Sequence, residues 1–249
     1  MFMRFVKLSV KPNLIDEFAG FYDDVVAPTL HSMDGCLFAT LIRDDRSARD
    51  CISLTLWTTA EKAKIYERSG QYDALLERNR PYLTESAEWR VQLTEDLTLE
   101  YGPVATKPEV DTFEVMSSTA AVAPSREELS HMYLRITSAT VQPGKVETFD
   151  NLYRKTIIPA LRSVDGFRHA FLIGSTENPQ DVLSVTIWES KQKADAYERS
   201  GRFAYLVDKV KPMLSSLFQW KVALDPNRKQ NVVTSDDLKV EGFTVLTGD

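Results

Sequence analysis

Residues 1–93 change their hydrophobic periodicity in a regular order. FVKLSV, at residues 5–10, alternates apolar and polar side chains, as a strand with one buried face does. From Leu14 to Leu30 the apolar residues fall at helical spacing, which predicts an amphipathic helix. The strings CLFATLIR and CISLTLW flank the polar loop DDRSARD, which predicts a β-hairpin. Residues 59–83 predict two further helices, and the string AEWRVQL predicts a final strand.

This order of elements, β-α-β-β-α-β, predicts an α+β fold of the ferredoxin-like kind. In that arrangement helices cover one face of a four-stranded antiparallel sheet. The third predicted strand shows what the other face requires, because its alternate side chains divide into two sets. One set is Ile52, Leu54 and Leu56, and the other is Ser53, Thr55 and Trp57. A tryptophan on the face without helices needs cover, so we expect a second sheet to pack there.

The chain itself supplies a second sheet, because the pattern repeats. Residues 4–93 superimpose on residues 135–224 without a gap, with roughly one position in three identical. The string YERSG recurs, and so do all four tryptophans, Trp57 with Trp188 and Trp89 with Trp220. We therefore expect two units related by a pseudo-twofold axis, packed as an eight-stranded barrel within one chain. Pairing of each unit with another chain, as a homo-oligomer, is the alternative.

The repeat also divides the chain. The first unit spans residues 1–93 and the second spans 133–224. The linker, 94–132, contains the strand-like strings LTLEY and TFEV, so we expect it to add strands at an edge of the barrel. Ser125 and Glu128 have the spacing of a capping box before the second unit. A C-terminal extension, 225–249, contains a further predicted strand in DLKVE.

Composition narrows the class of protein. A hydrophobic content of 43% and a charged content of 27% are those of an ordinary globular protein. With a net charge of −6 and basic residues interspersed with acids, we expect no nucleic-acid partner. Charges interrupt every short apolar run near the N-terminus, so we expect neither a signal peptide nor a membrane span, and a cytoplasmic location.

Cysteines and histidines are too few and too scattered to predict a metal site. Cys36 and Cys51 are the only cysteines, and no histidines have the spacing of a ligand pair. In the predicted hairpin Cys36 lies near Trp57 and Cys51 near Ile42, about 20 Å apart at about 3.3 Å per residue. We therefore expect two free thiols.

One recurring string resembles a known family signature. A strand ends in Trp57, an aromatic residue follows at Tyr66, then Ser69, and then an aromatic-Leu helix from Tyr72 to Leu83. The same string begins again at Trp188. Both copies, with the Asp-Gly pair before the second strand, resemble antibiotic biosynthesis monooxygenase domains of the dimeric α/β-barrel type. That family includes cofactor-independent quinol or anthrone oxygenases, haem-degrading enzymes and domains with no assigned activity.

The haem-degrading branch can be compared residue by residue. The resemblance implies an asparagine on the first strand, a tryptophan on the following helix, and an axial histidine ten residues later. The matching positions here hold Val6 and Thr137, then Tyr66 and Tyr197, then Leu76 and Val207. Leucine and valine offer no nitrogen to iron. The resemblance therefore favours oxygen chemistry without a cofactor, in which the protein stabilises a substrate anion that itself reduces oxygen.

The catalytic candidates are Tyr66 and Tyr197, which stand where the resemblance implies a pocket residue. A phenol there can donate a hydrogen bond to a substrate oxygen, although a simply packed aromatic ring is the alternative. His31 or His169 is a candidate base if one copy alone is active. The repeated tryptophans are interpreted as core residues.

Two further pairs are candidates for substrate binding. Tyr22 and Tyr153 lie on an apolar helix face and are expected to line a cavity between helix and sheet, with packing as the alternative. Arg4 and Arg135 open the first strand of each unit and could hold an anionic substrate, with a solvated strand end as the alternative.

Two classes of function follow from these residues. The first is a monooxygenase that acts on a small aromatic or quinol-like molecule. The second is a non-catalytic module that binds or senses such a ligand in the same pocket. The sequence alone leaves both open.

Overall fold

The computed structural model describes residues 1–47, 49–84, 89–93, 99–103, 108, 110–119, 132–215, 239–245 and 247. For 89–93, 99–103 and 239–240 it describes the backbone. The predicted capping box at Ser125 and Glu128, the predicted strand that contains Trp220, and the side chain of Trp89 lie outside the described part of the chain.

The first unit begins with strand β1, Phe2–Ser9, and a helical region in four segments. These are a 3-10 turn at Pro12–Leu14, helix α1 at Ile15–Phe21, a π turn at Tyr22–Val26 and helix α2 at Ala27–His31. A hairpin of β2, Cys36–Asp44, and β3, Asp50–Trp57, follows. Helices α3, Ala60–Arg68, and α4, Gln71–Asn79, then lead into a 3-10 turn at Arg80–Tyr82.

The second unit repeats these elements. Strand β7, Tyr133–Thr140, precedes α5, Val146–Leu152, a π turn at Tyr153–Ile157 and α6, Ile158–Arg162. The hairpin is β8, Phe167–Ser175, and β9, Asp181–Trp188. Helices α7, Lys191–Arg199, and α8, Arg202–Val210, and a 3-10 turn at Lys211–Met213 complete it. Thr59 and Ser190 cap α3 and α7, each accepting a hydrogen bond from the backbone three residues on.

The two units form one closed antiparallel barrel, as the repeat predicts. Its strand order is β1-β3-β2-β10-β7-β9-β8-β6. Strand β6, Val110–Ser118, pairs with β1 of the first unit and β8 of the second. Strand β10, Lys239–Val245, pairs with β7 of the second unit and β2 of the first. The barrel is therefore closed within a single chain.

The strands that complete the sheets differ from the expected ones. AEWRVQL, predicted as the fourth strand of the first sheet, contains β4, Trp89–Leu93, which pairs with β5, Leu99–Pro103, in a separate hairpin. The place beside β1 is taken instead by β6, from the linker. The linker strand was expected at a barrel edge, but β6 lies between the two units and removes an edge. Pairing on both sides satisfies backbone groups that an edge strand would expose.

The prediction that Trp57 faces the second sheet is wrong. Trp57 packs in the core between helices and sheet with Tyr22 and Tyr66, and Trp188 does the same in the second unit. The barrel interior instead contains Leu54 and Leu56 with their counterparts. The alternation of the strand was read correctly, but its two faces were assigned in reverse. Both faces are apolar enough to be buried, so periodicity alone did not distinguish them.

A π turn at the same place in each helical region fixes the position of one tyrosine. The turn begins at Tyr22 in the first unit and at Tyr153 in the second, and ends two residues before Pro28 and Pro159. Proline has no backbone N–H and its ring crowds the carbonyl four residues earlier, so the regular helical ladder cannot continue there. The widened turn places each tyrosine over the sheet.

Candidate functional site

Each unit contains a cavity between its helices and the outer face of its sheet. The first pocket lies among β1, β3, α3 and α4 and has a volume of about 30 Å³. The second pocket lies at the equivalent place and has a volume of about 70 Å³. Because a cavity needs at least about 10 to 15 Å³ by this measure to admit a water molecule, both can hold a small group, and the second has the more room.

The six predicted site residues come together in these two cavities. Arg4, Tyr22 and Tyr66 line the first pocket. Arg135, Tyr153 and Tyr197 line the second. The residues named from the sequence therefore share two cavities, whereas the role of each side chain in them stays a prediction.

The alternative of a solvated strand end for Arg4 and Arg135 is wrong. Their side chains are only 2% and 5% exposed. Arg135 donates through Nη2 to Glu198 Oε2 at 2.8 Å. Arg4 donates through Nε to Glu67 Oε1 at 2.9 Å, while its Nη2 lies as near to that oxygen without the geometry of a hydrogen bond. Each buried cation is thus paired with a partly exposed carboxylate at the mouth of its pocket.

The tyrosines of the π turns hydrogen-bond to the sheet in the same way in both units. The hydroxyl of Tyr22 lies 2.8 Å from Ser53 Oγ, and that of Tyr153 lies 2.8 Å from Ser184 Oγ. Tyr22 also donates to the backbone oxygen of Thr40 at 3.3 Å. Burial raises the pKa of both phenols well above the usual range, with the serine hydrogen bond opposing it. Both tyrosines therefore stay protonated at neutral pH, and they form part of the walls of their cavities.

Each catalytic candidate stacks on the buried tryptophan of its unit. The ring centroids of Tyr66 and Trp57 are 5.4 Å apart, and those of Tyr197 and Trp188 are 5.0 Å apart. Burial raises the pKa of Tyr66 and Tyr197, and the nearby arginine of each unit only partly opposes this. A phenol held in its protonated form can donate a hydrogen bond, but it cannot serve as a base at neutral pH.

The two pockets differ on the helix that closes them. In the first, α4 presents Tyr72 and Asn79, whereas the equivalent residues of α8 are Phe203 and Val210. Arg4 lies over the ring of Tyr72 at 4.5 Å, and Arg135 lies over Phe203 at 5.1 Å. The sequence interpretation missed these residues. Aligning the two copies and noting where an apolar residue replaces a polar one on a helix face would have found them.

Few of the described side chains that line either pocket could act as ligands to iron or another metal. Leu76 lines the first and Val207 the second, where the haem-degrading branch of the resemblance implies a histidine. His31 and His169 are not among the described residues that line the pockets, which leaves the prediction of a histidine base without support from their position. Within the described ranges no group of three or more His, Cys, Asp or Glu residues could hold a metal ion.

A third cavity, of about 530 Å³, lies at one end of the barrel and contains none of the predicted site residues. Its rim includes Asp44 and Asp111, which form ion pairs with Arg46 and Lys7, both at 2.9 Å. Both carboxylates are therefore engaged in ion pairs. Separately, no helix in the described part of the chain is long and apolar enough to cross a membrane.

Comparison with known proteins agrees with the duplication. The family model described as "Antibiotic biosynthesis monooxygenase" matches residues 1–78 and again residues 132–209. An uncharacterised protein of Mycobacterium tuberculosis is 26% identical over 200 residues, covering 80% of this chain and 75% of its own length. A second protein of that organism, also uncharacterised, is 27% identical over 190 residues, covering 76% and 69%.

Solved structures share the fold across the whole chain. One from Fusobacterium nucleatum, named "Putative monooxygenase", has a TM-score of 0.65 at 9% identity and covers 99% of this chain and 92% of its own. Another, an anthrone oxidase-like protein, has a TM-score of 0.54 at 16% identity and covers 98% and 90%. At these identities the likeness is one of fold.

Proposed function

Because the chain belongs to the antibiotic biosynthesis monooxygenase family, we propose that it oxygenates a small aromatic or quinol-like substrate in the second pocket without a cofactor. The observation behind this proposal is a buried cation and a buried phenol, Arg135 and Tyr197, at one apolar cavity. An apolar pocket with a few polar groups is the usual form of a site for a small organic ligand.

The polar groups of the second pocket suit a bound phenolate. Tyr197 supplies a protonated hydroxyl, and a hydrogen bond from it favours the anion of a bound phenol over its neutral form. Arg135 adds guanidinium donors, although Glu198 at 2.8 Å balances much of its charge. No carboxylate or imidazole is among the described residues that line the pocket. In this mechanism the protein lowers the pKa of the substrate, whose proton leaves to water.

The anion then supplies the electrons for the reaction. One electron passes from the substrate carbanion or phenolate to oxygen, and the resulting radical and superoxide combine as a carbon–oxygen bond. The peroxide anion that forms takes a proton from water and becomes a hydroperoxide. The hydroperoxide loses water together with the hydrogen of the same carbon, so that one oxygen atom becomes a carbonyl of the product and the other leaves as water. Burial of the site protects these intermediates from solvent.

The size of the cavity limits the substrate. A volume of about 70 Å³ is about half that of a cavity that holds benzene, about 150 Å³, so even one aromatic ring requires the lining side chains to adjust. A substrate of three fused rings would require the helices to move. We therefore expect single-ring hydroquinones to react before naphthalenediols, and these before anthrone, which is included because a chain of similar fold is named anthrone oxidase-like.

Oxygen consumption by a panel of these substrates tests the proposal, with metal-free buffer and no flavin. Tyr197→Phe should lower the rate about 5- to 150-fold, because it removes a donor worth about 1 to 3 kcal/mol in the transition state. Tyr66→Phe reports whether the first unit also reacts. Tyr205→Phe is the matched control, since that ring is 59% exposed and lies outside the pocket.

The alternative function is a binding module, and the same panel distinguishes it. Binding of a hydroquinone without any stimulation of oxygen consumption would exclude the monooxygenase and favour the module. An unchanged rate in both Tyr66→Phe and Tyr197→Phe would remove the tyrosines from the mechanism.

A further inference from the structure

The first pocket contains three buried polar atoms that have no hydrogen-bond partner among the residues that the structure describes. They are Arg4 Nη2, Tyr72 Oη and Asn79 Oδ1. The side chains of Arg4 and Asn79 are only 2% and 8% exposed. Arg4 Nη2 lies 2.9 Å from Glu67 Oε1 in an ion pair, but without the geometry of a hydrogen bond. Since about nine in ten buried polar groups in proteins are hydrogen-bonded, three such atoms around one small cavity require an explanation.

The second pocket shows that the fold does not require these groups. Phe203 and Val210 replace Tyr72 and Asn79 there, and the Nη2 of Arg135 donates to Glu198 at 2.8 Å. None of the side-chain atoms found buried and unpartnered in the described part of the chain belongs to that pocket. An unpaired polar group costs stability that an apolar group of similar shape does not. The polar set of the first pocket is therefore retained for something other than folding.

We propose that the first pocket binds a small uncharged ligand group, a primary carboxamide, that accepts a hydrogen bond from Arg4 and donates one to Asn79. The carboxamide oxygen suits Arg4 Nη2, its N–H suits Asn79 Oδ1, and the Tyr72 hydroxyl can donate or accept. This site is separate from the proposed reaction in the second pocket and does not depend on it.

Charge and size both favour this ligand group. Among the described residues that line the cavity Arg4 alone is charged, and Glu67 already lies 2.9 Å from its guanidinium. The pair is close to neutral, so a carboxylate would bring a negative charge next to Glu67. A volume of about 30 Å³ is far below the volume of about 150 Å³ of a cavity that holds benzene, so the pocket admits only a small head group and not an aromatic ring. Leu75 and Leu76 provide an apolar wall for its carbon substituent.

Titration of the ¹⁵N-labelled protein with acetamide tests the proposal by NMR, without oxygen or any quinol. We expect saturable shifts of the Asn79 side-chain amide and of backbone signals in α4, with a Kd in the millimolar range, as about 4 kcal/mol of binding energy gives. N,N-dimethylacetamide, which cannot donate, and acetate, which is charged, should bind at least tenfold more weakly. Equal affinity for either, or no response to acetamide at about 100 mM, would overturn the proposal.

The matched variant is Tyr72→Phe with Asn79→Val, which gives the first pocket the residues of the second. This variant should lose the acetamide response and, without ligand, unfold at a higher temperature than the wild type. A full response in the variant, or an unraised unfolding temperature, would mean that the polar atoms have other partners. Should the double variant not fold, Tyr72→Phe alone provides the same two measurements, with a partial loss of affinity expected.

Discussion

The two pockets have the same frame and different linings. Both contain a stacked Tyr–Trp pair, a Tyr–Ser hydrogen bond and a buried arginine paired with glutamate. They differ on the closing helix, where α4 presents Tyr72 and Asn79 and α8 presents Phe203 and Val210. The two units share the contacts that hold the helices to the sheet and differ in side chains of the closing helix that line the pockets. Within one chain, the comparison therefore distinguishes the residues that hold the fold together from those that differ between the two pockets.

This comparison also explains why the second pocket is the larger and the more apolar. Valine and phenylalanine have no polar atoms to satisfy, so an empty apolar cavity there carries only a packing cost. Polar groups at the same positions of the first pocket need partners, which makes that cavity selective. This difference is the basis of the two proposals, an aromatic substrate for the second pocket and a small polar group for the first.

The largest expected effect comes from giving the second pocket the polar residues of the first. Phe203→Tyr with Val210→Asn places two polar groups in the second pocket, and we expect the free energy of unfolding to fall by about 2 to 6 kcal/mol, or 1 to 3 for each unpaired group. Urea denaturation measures this. The control is Tyr72→Phe with Asn79→Val in the first pocket, which should not destabilise the protein. A second-pocket variant as stable as the wild type would show that the two linings are interchangeable and would break the comparison.

Much of this frame could be predicted from the sequence, because it depends on local patterns. Alternation gave the strands, helical spacing gave the helices, and the repeat gave the internal twofold relation. The origin of the closing strands could not be predicted in this way. Strands β6 and β10 come from segments outside the repeat, and their pairing depends on which edges are left exposed after both units fold.

The site was predicted in part, for a similar reason. Repetition and the family resemblance pointed to Tyr22, Tyr66 and Arg4, which do line one cavity. Arg4 was nevertheless expected at a solvated strand end as the alternative, since a charged residue near a terminus is usually exposed. Its burial depends on Glu67, which is 63 positions away and reaches it only when α3 packs on β1. Contacts of this kind are not local, and periodicity does not reveal them.

The next prediction tests whether the glycine turns before β2 and β8 impose the same structural constraint in both units. Gly35 and Gly166 end the loops before β2 and β8 with φ values of 85° and 77°, and a Cβ there would lie 2.7 and 2.5 Å from the side chains of Lys62 and Lys193. Replacement of either glycine by alanine should cost about 1 to 3 kcal/mol of unfolding free energy. Gly70→Ala, with similar φ but open space around its Cβ, is the control and should cost less. Markedly unequal costs at Gly35 and Gly166 would mean that the scaffolds have diverged as well.

A smaller effect is expected at alkaline pH, where the two pockets should behave alike. Burial raises the pKa of Tyr22, Tyr66, Tyr153 and Tyr197 in the folded protein. Their contribution is complete below the unfolded pKa of about 10 and is lost as pH rises toward the folded pKa, at about 1 kcal/mol each by pH 11. Stability measured from pH 9 to 11 should fall less steeply in Tyr153→Phe than in the exposed control Tyr205→Phe. Parallel curves would contradict this.

The smallest effect concerns the thiols, which only the first unit has. Cys36 lies opposite Trp57 and Cys51 opposite Arg43, at the two ends of the β2–β3 hairpin, and the equivalent residues of the second unit are Phe167 and Val182. Burial raises the pKa of Cys36 to about 11 and that of Cys51 to about 12.

The reactive thiolate is therefore scarce in the folded protein at neutral pH, and both thiols should react with a thiol reagent at least about 100-fold more slowly than after unfolding. Cys36, which is half-buried, should react before Cys51, which is 1% exposed, and the single variants Cys36→Ala and Cys51→Ala assign the two phases. The unfolded, unreduced protein should yield both thiols. Fewer than two would show that a disulfide bridges positions that the strand register holds apart.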